Sequence, residues 1–349
     1  MTGKERILKT IKGEKTDRVP LYDFLFQRDI FKHVLGKRAD EYDLIEVIDA
    51  SRKLDLDLAF GTISVPMGYQ VERLSETQYI DEWGTTYQSD EASWPVDAPI
   101  AYPFEDFEGF KKYKFPNPTD NSRFKNIKAG VEYANNEIAI TAGGNGPFTQ
   151  AWMLMGPEEL FINCYTNPEF IHALLKETTD YYIGMIKPLK ESGVDMITLA
   201  EDLGDSNQTF LPPSKFREFI LPQLQRIMDA VGDTPVFFHS CGNIKDYLDD
   251  IVDLGISILH PMQRTANMSL KDIKEKYGHR VTLCGNVDSS TTLPYGTPDD
   301  VENEVKECME IAKPGGRYIL GSDHSLHDGI SMENIYRMFE AGKKYGKYE

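Results

Sequence analysis

The side chains most suited to chemistry lie in the segment His239-Ser240-Cys241-Gly242, which directly follows the apolar run at residues 235–238. Residues two apart on an extended strand point to the same face, so the imidazole of His239 and the thiol of Cys241 are predicted to lie side by side. Such a pair forms half of a zinc site. The alternative is a buried core cysteine beside a hydrogen-bonded histidine, because cysteine is among the most buried residue types.

Seven further apolar runs resemble this one, and stretches of helical length separate them. They lie at residues 18–21, 54–60, 138–141, 194–199, 256–259, 280–283 and 317–320. Strands that alternate with helices predict a parallel sheet. Eight such units in 349 residues fit a (β/α)8 TIM barrel of the α/β class. An open doubly wound sheet is the alternative, but no Gly-x-Gly-x-x-Gly sequence follows a strand and opens a helix.

Residues 62–125 interrupt this alternation. Residues 70–74 and 79–87 have the composition of antiparallel strands, and a proline-rich stretch follows them. We interpret the range as an insertion after the second strand that forms a lip over one end of the barrel. The whole chain, residues 1–349, is therefore predicted to be a single domain.

Chemistry in a barrel of this type takes place at the carboxyl ends of the strands. Nearly every predicted strand end here carries a glycine next to a carboxylate, a histidine or a cysteine. The candidate metal ligands are His239, Cys241 and Cys284, with Glu201, Asp202 or His324 as a fourth. Zinc accepts such a mixed set of sulfur, nitrogen and oxygen donors. The alternative for Cys284 is a place in the packed interior of the barrel.

Acid–base catalysis is predicted for Glu201, Asp202 and His324. Two adjacent carboxylates at a buried mouth repel each other, which raises one pKa and provides a general acid near neutral pH. A solvated pair that caps the following loop is the structural alternative for the two acids, and His324 is the alternative proton donor. The candidate substrate contacts are Tyr22, Phe24, Asn145, Phe148 and His260.

The composition excludes several classes of function. The chain has 38 Lys and Arg residues against 56 Asp and Glu residues, a net charge of -18, which disfavours binding to nucleic acids and to anionic membranes. No segment offers the roughly 18 to 20 uncharged apolar residues that a membrane helix needs. Four cysteines are too few for a disulfide scaffold in so long a chain, so we expect a reduced, cytoplasmic enzyme.

Several motifs together resemble the uroporphyrinogen decarboxylase superfamily, and the similarity covers nearly the whole chain. The motifs lie at residues 5–8, 16–20, 146–149, 212–219, 239–242, 285–288 and 332–335. The resemblance implies a (β/α)8 barrel that is often a homodimer. It does not by itself select an activity.

Decarboxylases of this superfamily carry a pair of arginines after the first strand, which hold the tetrapyrrole carboxylates, and an essential aspartate at the end of the second. Residues 21–29 of this chain contain only Arg28, and residues 58–61 contain no aspartate. These departures disfavour a decarboxylase, which stays an alternative. A non-catalytic barrel that binds a tetrapyrrole or a corrinoid is a further alternative, since a fold does not determine a function.

The other branch consists of corrinoid-dependent methyltransferases, whose zinc site is similar to His-x-Cys followed by a later cysteine. His239 and Cys241 match this pattern, whereas Ser322 stands where the later cysteine is expected. Residues 201–204 are similar to methyltransferases and demethylases that transfer methyl groups to a corrinoid protein. The resemblance therefore implies a methyltransferase that acts on a small methylated substrate, with an aromatic methyl ether favoured. Its partner would be a corrinoid protein that supplies cobalamin. Zinc is the metal that the resemblance implies, with Cys284 or His324 completing a different site, and the absence of zinc is the alternative.

Overall fold

Eleven strands are present in the part of the chain that the structure describes, and they form two separate sheets. The structure is a computed structural model that describes residues 1–37, 42–89 and 97–348. The strands are β1 (Leu58–Thr62), β2 (Glu72–Arg73), β3 (Gln78–Ile80), β4 (Thr86–Gln88), β5 (Ala98–Ala101), β6 (Ala139–Asn145), β7 (Met196–Ala200), β8 (Val236–His239), β9 (Ile258–His260), β10 (Thr282–Cys284) and β11 (Tyr318–Ile319). Seven of them form a parallel sheet in the order β1-β6-β7-β8-β9-β10-β11, and β2 to β5 form an antiparallel sheet.

Helices precede, connect and follow the strands of the parallel sheet. They are α1 (Gly3–Lys12), α2 (Arg28–Leu35), α3 (Leu44–Lys53), α4 (Phe107–Lys112), α5 (Lys125–Ala134), α6 (Pro147–Met155), α7 (Pro157–Thr166), α8 (Pro168–Glu191), α9 (Pro213–Lys215), α10 (Leu221–Val231), α11 (Leu248–Asp253), α12 (Leu270–Tyr277), α13 (Thr292–Tyr295), α14 (Pro298–Ala312) and α15 (Met332–Tyr345). Among the helices described, none combines the length and the apolar character that a membrane crossing requires.

Seven of the eight apolar runs contain a strand of the parallel sheet, which confirms the predicted α/β class. The exception is the first run, residues 18–21, where Pro20 has no N–H group with which to continue a ladder of hydrogen bonds. Leu21 nevertheless forms a parallel bridge to Leu320, which follows β11. Its carbonyl oxygen also accepts a hydrogen bond of 2.9 Å from the N–H of Asp57, which precedes β1. The first run therefore lies between the two edge strands of the sheet.

A buried apolar cluster receives a side chain from each strand of the parallel sheet, so the sheet curls around it. We refer to it as the inner cluster; its residues are Ile7, Ile11, Tyr22, Phe24, Leu58, Phe60, Ala139, Met196, Phe237, Ile258, Cys284 and Ile319. Helix α1 covers the amino ends of the strands, because the N–H of Lys4 donates to the carbonyl of Glu137 at 3.3 Å and the hydroxyl of Thr282 donates to the carbonyl of Thr10 at 3.4 Å.

An ion cluster fastens α1 to the first run at this amino end. The carboxylate of Asp57, 2% exposed, accepts hydrogen bonds from the guanidinium groups of Arg6 and Arg18 and from the N–H of Leu21. Arg6 also pairs with Asp17 at 2.7 Å. The two N-terminal motifs that carry the family resemblance therefore include residues with a structural role, remote from the carboxyl ends of the strands.

The antiparallel sheet lies between β1 and α5 along the chain. The strands predicted near residues 70–74 and 79–87 correspond to β2, β3 and β4, whereas residues 90–96 of the predicted insertion lie outside the described residues. The hydroxyl of Thr85 donates a hydrogen bond of 3.0 Å to the carbonyl of Met153 in α6, so the antiparallel sheet packs against that helix. The role of the range as a lip stays a prediction.

Candidate active site

Four neighbouring strands of the parallel sheet end at the same level. Asn145, Ala200, His239 and His260, the last residues of β6 to β9, are successive register partners. Parallel strands present their carboxyl ends at one edge, so the loops that follow them meet there. We call this edge the mouth. Asn145 is exposed at its rim.

Three of the predicted residues come together at the mouth as a group able to hold a metal ion. One nitrogen of His239, the sulfur of Cys241 and one nitrogen of His324 all lie within 4.8 Å of one another. Nε2 of His239 and Sγ of Cys241 are 3.1 Å apart. Gly242 allows this turn, because its φ of 74° is left-handed and a Cβ there would lie 2.2 Å from the carbonyl oxygen of Gly204.

Cys284 does not belong to this group. It is completely buried and lies in the inner cluster, and burial raises the pKa of its thiol well above the ordinary value. Its surroundings correspond to the alternative considered from the sequence, a thiol in the packed interior. Among the described residues, the third member of the group at the mouth is His324.

Burial dominates the electrostatics of the group. It lowers the pKa of His239 to about 4 and also lowers the pKa of His324, which favours the neutral form of both imidazoles. Burial raises the pKa of the Cys241 thiol. Asp202 is the nearest anion: its side chain is 37% exposed, and its Oδ1 lies 3.9 Å from Nε2 of His239 and 3.4 Å from the backbone nitrogen of Cys241.

Glu201, in contrast, is completely buried at the start of α6. Its Oε1 accepts a hydrogen bond of 3.0 Å from the N–H of Phe148, and its Oε2 accepts one of 2.8 Å from the N–H of Thr149. A Cβ on Gly146 would lie 2.5 Å from this carboxyl group, which explains the glycine there. Burial raises the pKa of Glu201 to about 7. The carboxylate caps a helix whose own N-cap residue supplies no side-chain hydrogen bond.

Aromatic rings form an apolar wall beside the histidines. Phe24 stands edge-on to His239, with ring centroids 5.6 Å apart, and packs against Phe60 at 4.9 Å and Phe26 at 5.4 Å. Tyr22 lies behind Phe24 at 5.4 Å and is completely buried. Of the predicted Tyr and Phe contacts, Phe24 therefore borders the candidate metal group directly.

The two remaining predicted substrate contacts, Phe148 and His260, are almost completely buried. Phe148 is 1% exposed and its ring packs against Phe161, outside the inner cluster. His260 is 1% exposed, and its Nδ1 lies 2.7 Å from Nδ1 of His239. Burial lowers the pKa of His260 well below its ordinary value.

Comparison with known families identifies the family to which the chain belongs. The sequence model of the family described as uroporphyrinogen decarboxylase (URO-D) matches residues 83–345. The chain belongs to the URO-D family. This confirms the superfamily that the motifs predicted.

Several relatives of this URO-D family member are methyltransferases. The chain is 25% identical over 354 residues to the methylcobamide:CoM methyltransferase MtbA of Methanosarcina acetivorans, covering 99% of this chain and 98% of the relative. It is 26% identical over 222 residues to the chloroplastic uroporphyrinogen decarboxylase 2 of Oryza sativa subsp. japonica, covering 61% and 54%. Among solved structures, it superposes on a methyltransferase from Methanosarcina mazei with a TM-score of 0.72, 23% identity and 99% coverage of both chains.

One polar pair of this URO-D family member was not assigned a role from its sequence. The carboxyl group of Asp23 is buried and accepts two hydrogen bonds from Ser322. Asp23 follows the first apolar run and Ser322 follows the last, and the two runs are neighbours in the sheet. Both residues therefore lie at strand ends, where functional residues of this fold are expected. Only the fold shows that they pair with each other. Phe60, at the end of the second run, was likewise not selected as part of the aromatic wall.

Proposed function

We propose that this protein is a methyltransferase that moves a methyl group between a small organic substrate and a corrinoid bound to a separate protein. The observation that carries the proposal is the His239, Cys241 and His324 group at the mouth, in a chain similar over nearly its whole length to a methylcobamide:CoM methyltransferase. Reduced cobalamin is itself a strong nucleophile. The protein has to align the methyl group with cobalt and stabilise the departing anion.

The proposal includes a closed (β/α)8 TIM barrel, with residues 62–125 as a lip at the mouth. The first run supports closure, since it hydrogen-bonds next to both edge strands of the parallel sheet. Closure would surround the inner cluster with eight extended segments, and the loops after the strands would then enclose one mouth. A lip there would limit the access of water to the reacting groups.

The donor set at the mouth fits a zinc ion. Two imidazoles and a thiol are typical zinc ligands, and the 3.1 Å between Nε2 of His239 and Sγ of Cys241 compares with roughly 3.5 Å between two ligands of one tetrahedral zinc ion. Asp202 brings an oxygen donor close to the same nitrogen. Zinc, when bound, would act as a Lewis acid toward the oxygen or sulfur that loses or receives the methyl group.

An aromatic methyl ether is the substrate that the aromatic wall suits best. Phe24 and Phe60 would hold the ring by edge-on packing. In the transfer, the bond between the methyl carbon and the ether oxygen breaks, the methyl carbon bonds to cobalt, and the electron pair leaves on the phenolate oxygen. Asp202 is the partly exposed carboxylate beside the histidines and can orient a water molecule that protonates that oxygen, whereas Glu201 is engaged in capping α6.

Decarboxylation of a tetrapyrrole is the second candidate, and the relationship to a plant uroporphyrinogen decarboxylase favours it. The arginine that would have to bind a substrate carboxylate is Arg28. Its guanidinium group pairs with Asp328, with Nε 2.7 Å from Oδ2, and its backbone N–H donates to Oδ1 of the same carboxylate. This pairing argues against Arg28 as a receptor for a polyanionic substrate.

A methyl-transfer assay tests the proposed function. Zinc-loaded protein is mixed with reduced cobalamin and, separately, with methoxyaromatics, methylamines and methylated thiols, and methylcobalamin is followed by its absorbance. We expect transfer from methoxyaromatics, and a Phe24→Leu variant should raise KM for them more than it lowers kcat. Transfer from thiols or amines alone would contradict the aromatic substrate. Absence of transfer together with consumption of uroporphyrinogen would support the decarboxylase, and binding of a corrinoid without any turnover would support a non-catalytic barrel.

The corrinoid partner is tested separately. Cobalamin is too large to enter a packed barrel whole, so the mouth should receive it from the surface of a small corrinoid protein. Free reduced cobalamin should give slow transfer, and the corrinoid protein should raise kcat/KM by at least about tenfold, because docking aligns the reacting atoms in advance. Equal values with free and protein-bound corrinoid would show that no docking partner is needed.

A further inference from the structure

Two histidines at neighbouring strand ends contact each other directly. His239 ends β8, His260 ends β9, and the two are register partners. Their Nδ1 atoms are 2.7 Å apart, and their rings are inclined by 30° with centroids 5.0 Å apart. This is a hydrogen-bond distance, and in a hydrogen bond between two imidazoles one nitrogen must carry the proton while the other offers its lone pair.

The contact allows two arrangements of protons. In the first, Nδ1–H of His239 donates to Nδ1 of His260, and Nε2 of His239 has a lone pair that faces Sγ of Cys241 at 3.1 Å. In the second, His260 donates, and the proton of a neutral His239 is on Nε2. A nitrogen that binds a metal ion must offer a lone pair, so only the first arrangement allows His239 to bind through Nε2.

The surrounding rings hold this pair in place. Phe24 stands edge-on to both imidazoles, at 5.6 Å from His239 and 5.4 Å from His260, with interplanar angles of 85° and 81°. Phe237 packs against His260 at 5.3 Å. Because His260 is 1% exposed, its ring contacts other buried rings and has little surface to offer a ligand in the mouth.

We propose that His260 is a positioning residue that accepts the Nδ1–H of His239 and thereby directs the Nε2 lone pair of His239 toward the metal. The inference rests on the metal site of the proposed function. It replaces the direct contact with substrate that the sequence suggested for His260. Metal-bound histidines commonly have such a partner on their second nitrogen, usually a carboxylate or a carbonyl, and here an imidazole takes that place.

Three variants separate hydrogen bonding from packing. His260→Asn keeps an acceptor near the position of Nδ1, His260→Phe keeps the ring without an acceptor, and Phe237→Leu disturbs the packing next to the pair while leaving both histidines. Zinc affinity is measured by competition with a chromophoric chelator, and the melting temperature is recorded alongside. We expect affinity to fall by about 10- to 100-fold in His260→Phe. We expect it to stay near the wild-type value in His260→Asn and in Phe237→Leu, even if the latter melts earlier.

The tautomer of His239 provides a readout that does not depend on metal. In metal-free protein labelled with ¹⁵N-histidine, NMR should show Nδ1 of His239 protonated and Nε2 unprotonated, with His239→Gln identifying the signals. His260→Phe should mix the two tautomers and His260→Asn should preserve the first. Unchanged affinity and an unchanged tautomer in His260→Phe would overturn the inference, and so would a wild-type protein with the proton on Nε2. A wild-type protein that binds no zinc would contradict the metal site, while the tautomer would still decide the role of His260.

Discussion

The hydroxyl of Ser322 donates a hydrogen bond of 2.8 Å to Oδ1 of Asp23, and the backbone N–H of Ser322 donates one of 2.7 Å to Oδ2. Both residues are buried. Position 322 is where the resemblance to corrinoid-dependent methyltransferases leads one to expect a cysteine ligand. The hydroxyl here is directed to a carboxyl group, and His324, two residues later, joins His239 and Cys241.

Replacing Ser322 should therefore affect stability and leave metal binding unchanged. In Ser322→Ala the buried carboxyl group of Asp23 loses one of its donors, which should lower the free energy of unfolding by about 1–3 kcal/mol. Urea unfolding at neutral pH measures this loss, and chelator competition measures zinc affinity. A large fall in zinc affinity with unchanged stability would instead identify Ser322 as a ligand.

Asp23 should make the stability of the protein depend on pH. Burial raises the pKa of Asp23 from 3.8 to about 7, so the native state favours the protonated carboxyl group. The stability from this group is fully present below about pH 4 and is lost as the pH rises through 7. The free energy of unfolding of Asp23→Asn, minus that of wild type, should rise by up to about 4 kcal/mol between pH 4 and pH 8. Urea unfolding of both proteins at several pH values tests this; a constant difference would contradict it.

The proposed metal ligands can be told apart by single substitutions. Cys241→Ala and His324→Ala should each prevent retention of about one zinc ion per chain, because each removes a donor from the group. Elemental analysis after dialysis measures the metal. Cys284→Ala is the matched control and should keep its zinc, because Cys284 lies in the inner cluster. Loss of zinc in the control together with retention in His324→Ala would favour the ligand set first predicted from the sequence.

Asp57 should be essential for stability and unimportant for metal binding. Burial raises its pKa, and the two guanidinium groups that contact its carboxylate oppose that rise. Asp57→Asn leaves two largely buried arginines without this countercharge, which should lower the free energy of unfolding by about 3–5 kcal/mol. Denaturant unfolding measures it. Lys187→Ala, which removes an exposed ion pair with Glu191 at 3.7 Å, should change it by less than about 0.5 kcal/mol.

Much of the fold could be predicted because its signals are local. Apolar runs separated by helical stretches identified seven strands of the parallel sheet, since buried parallel strands are continuous apolar segments. His239 and Cys241 are two residues apart, and the period of a strand places them together without knowledge of any other element. The first run was harder to assign as a strand. Pro20 interrupts its ladder of backbone hydrogen bonds, so the run joins the sheet through single bridges.

Only the tertiary structure decided which distant residues come together at the candidate site. Cys284 faces the inner cluster and His324 the mouth, because the side to which a residue points depends on the register and curl of the whole sheet. His260 contacts His239 because β8 aligns with β9 in the sheet. The two strands are about twenty residues apart in the chain, and no spacing within either strand encodes their pairing. Glu201 is a plausible general acid from its place in the sequence. In the structure, both of its carboxyl oxygens accept hydrogen bonds from N–H groups at the start of α6. Buried N–H groups require acceptors wherever the chain brings them.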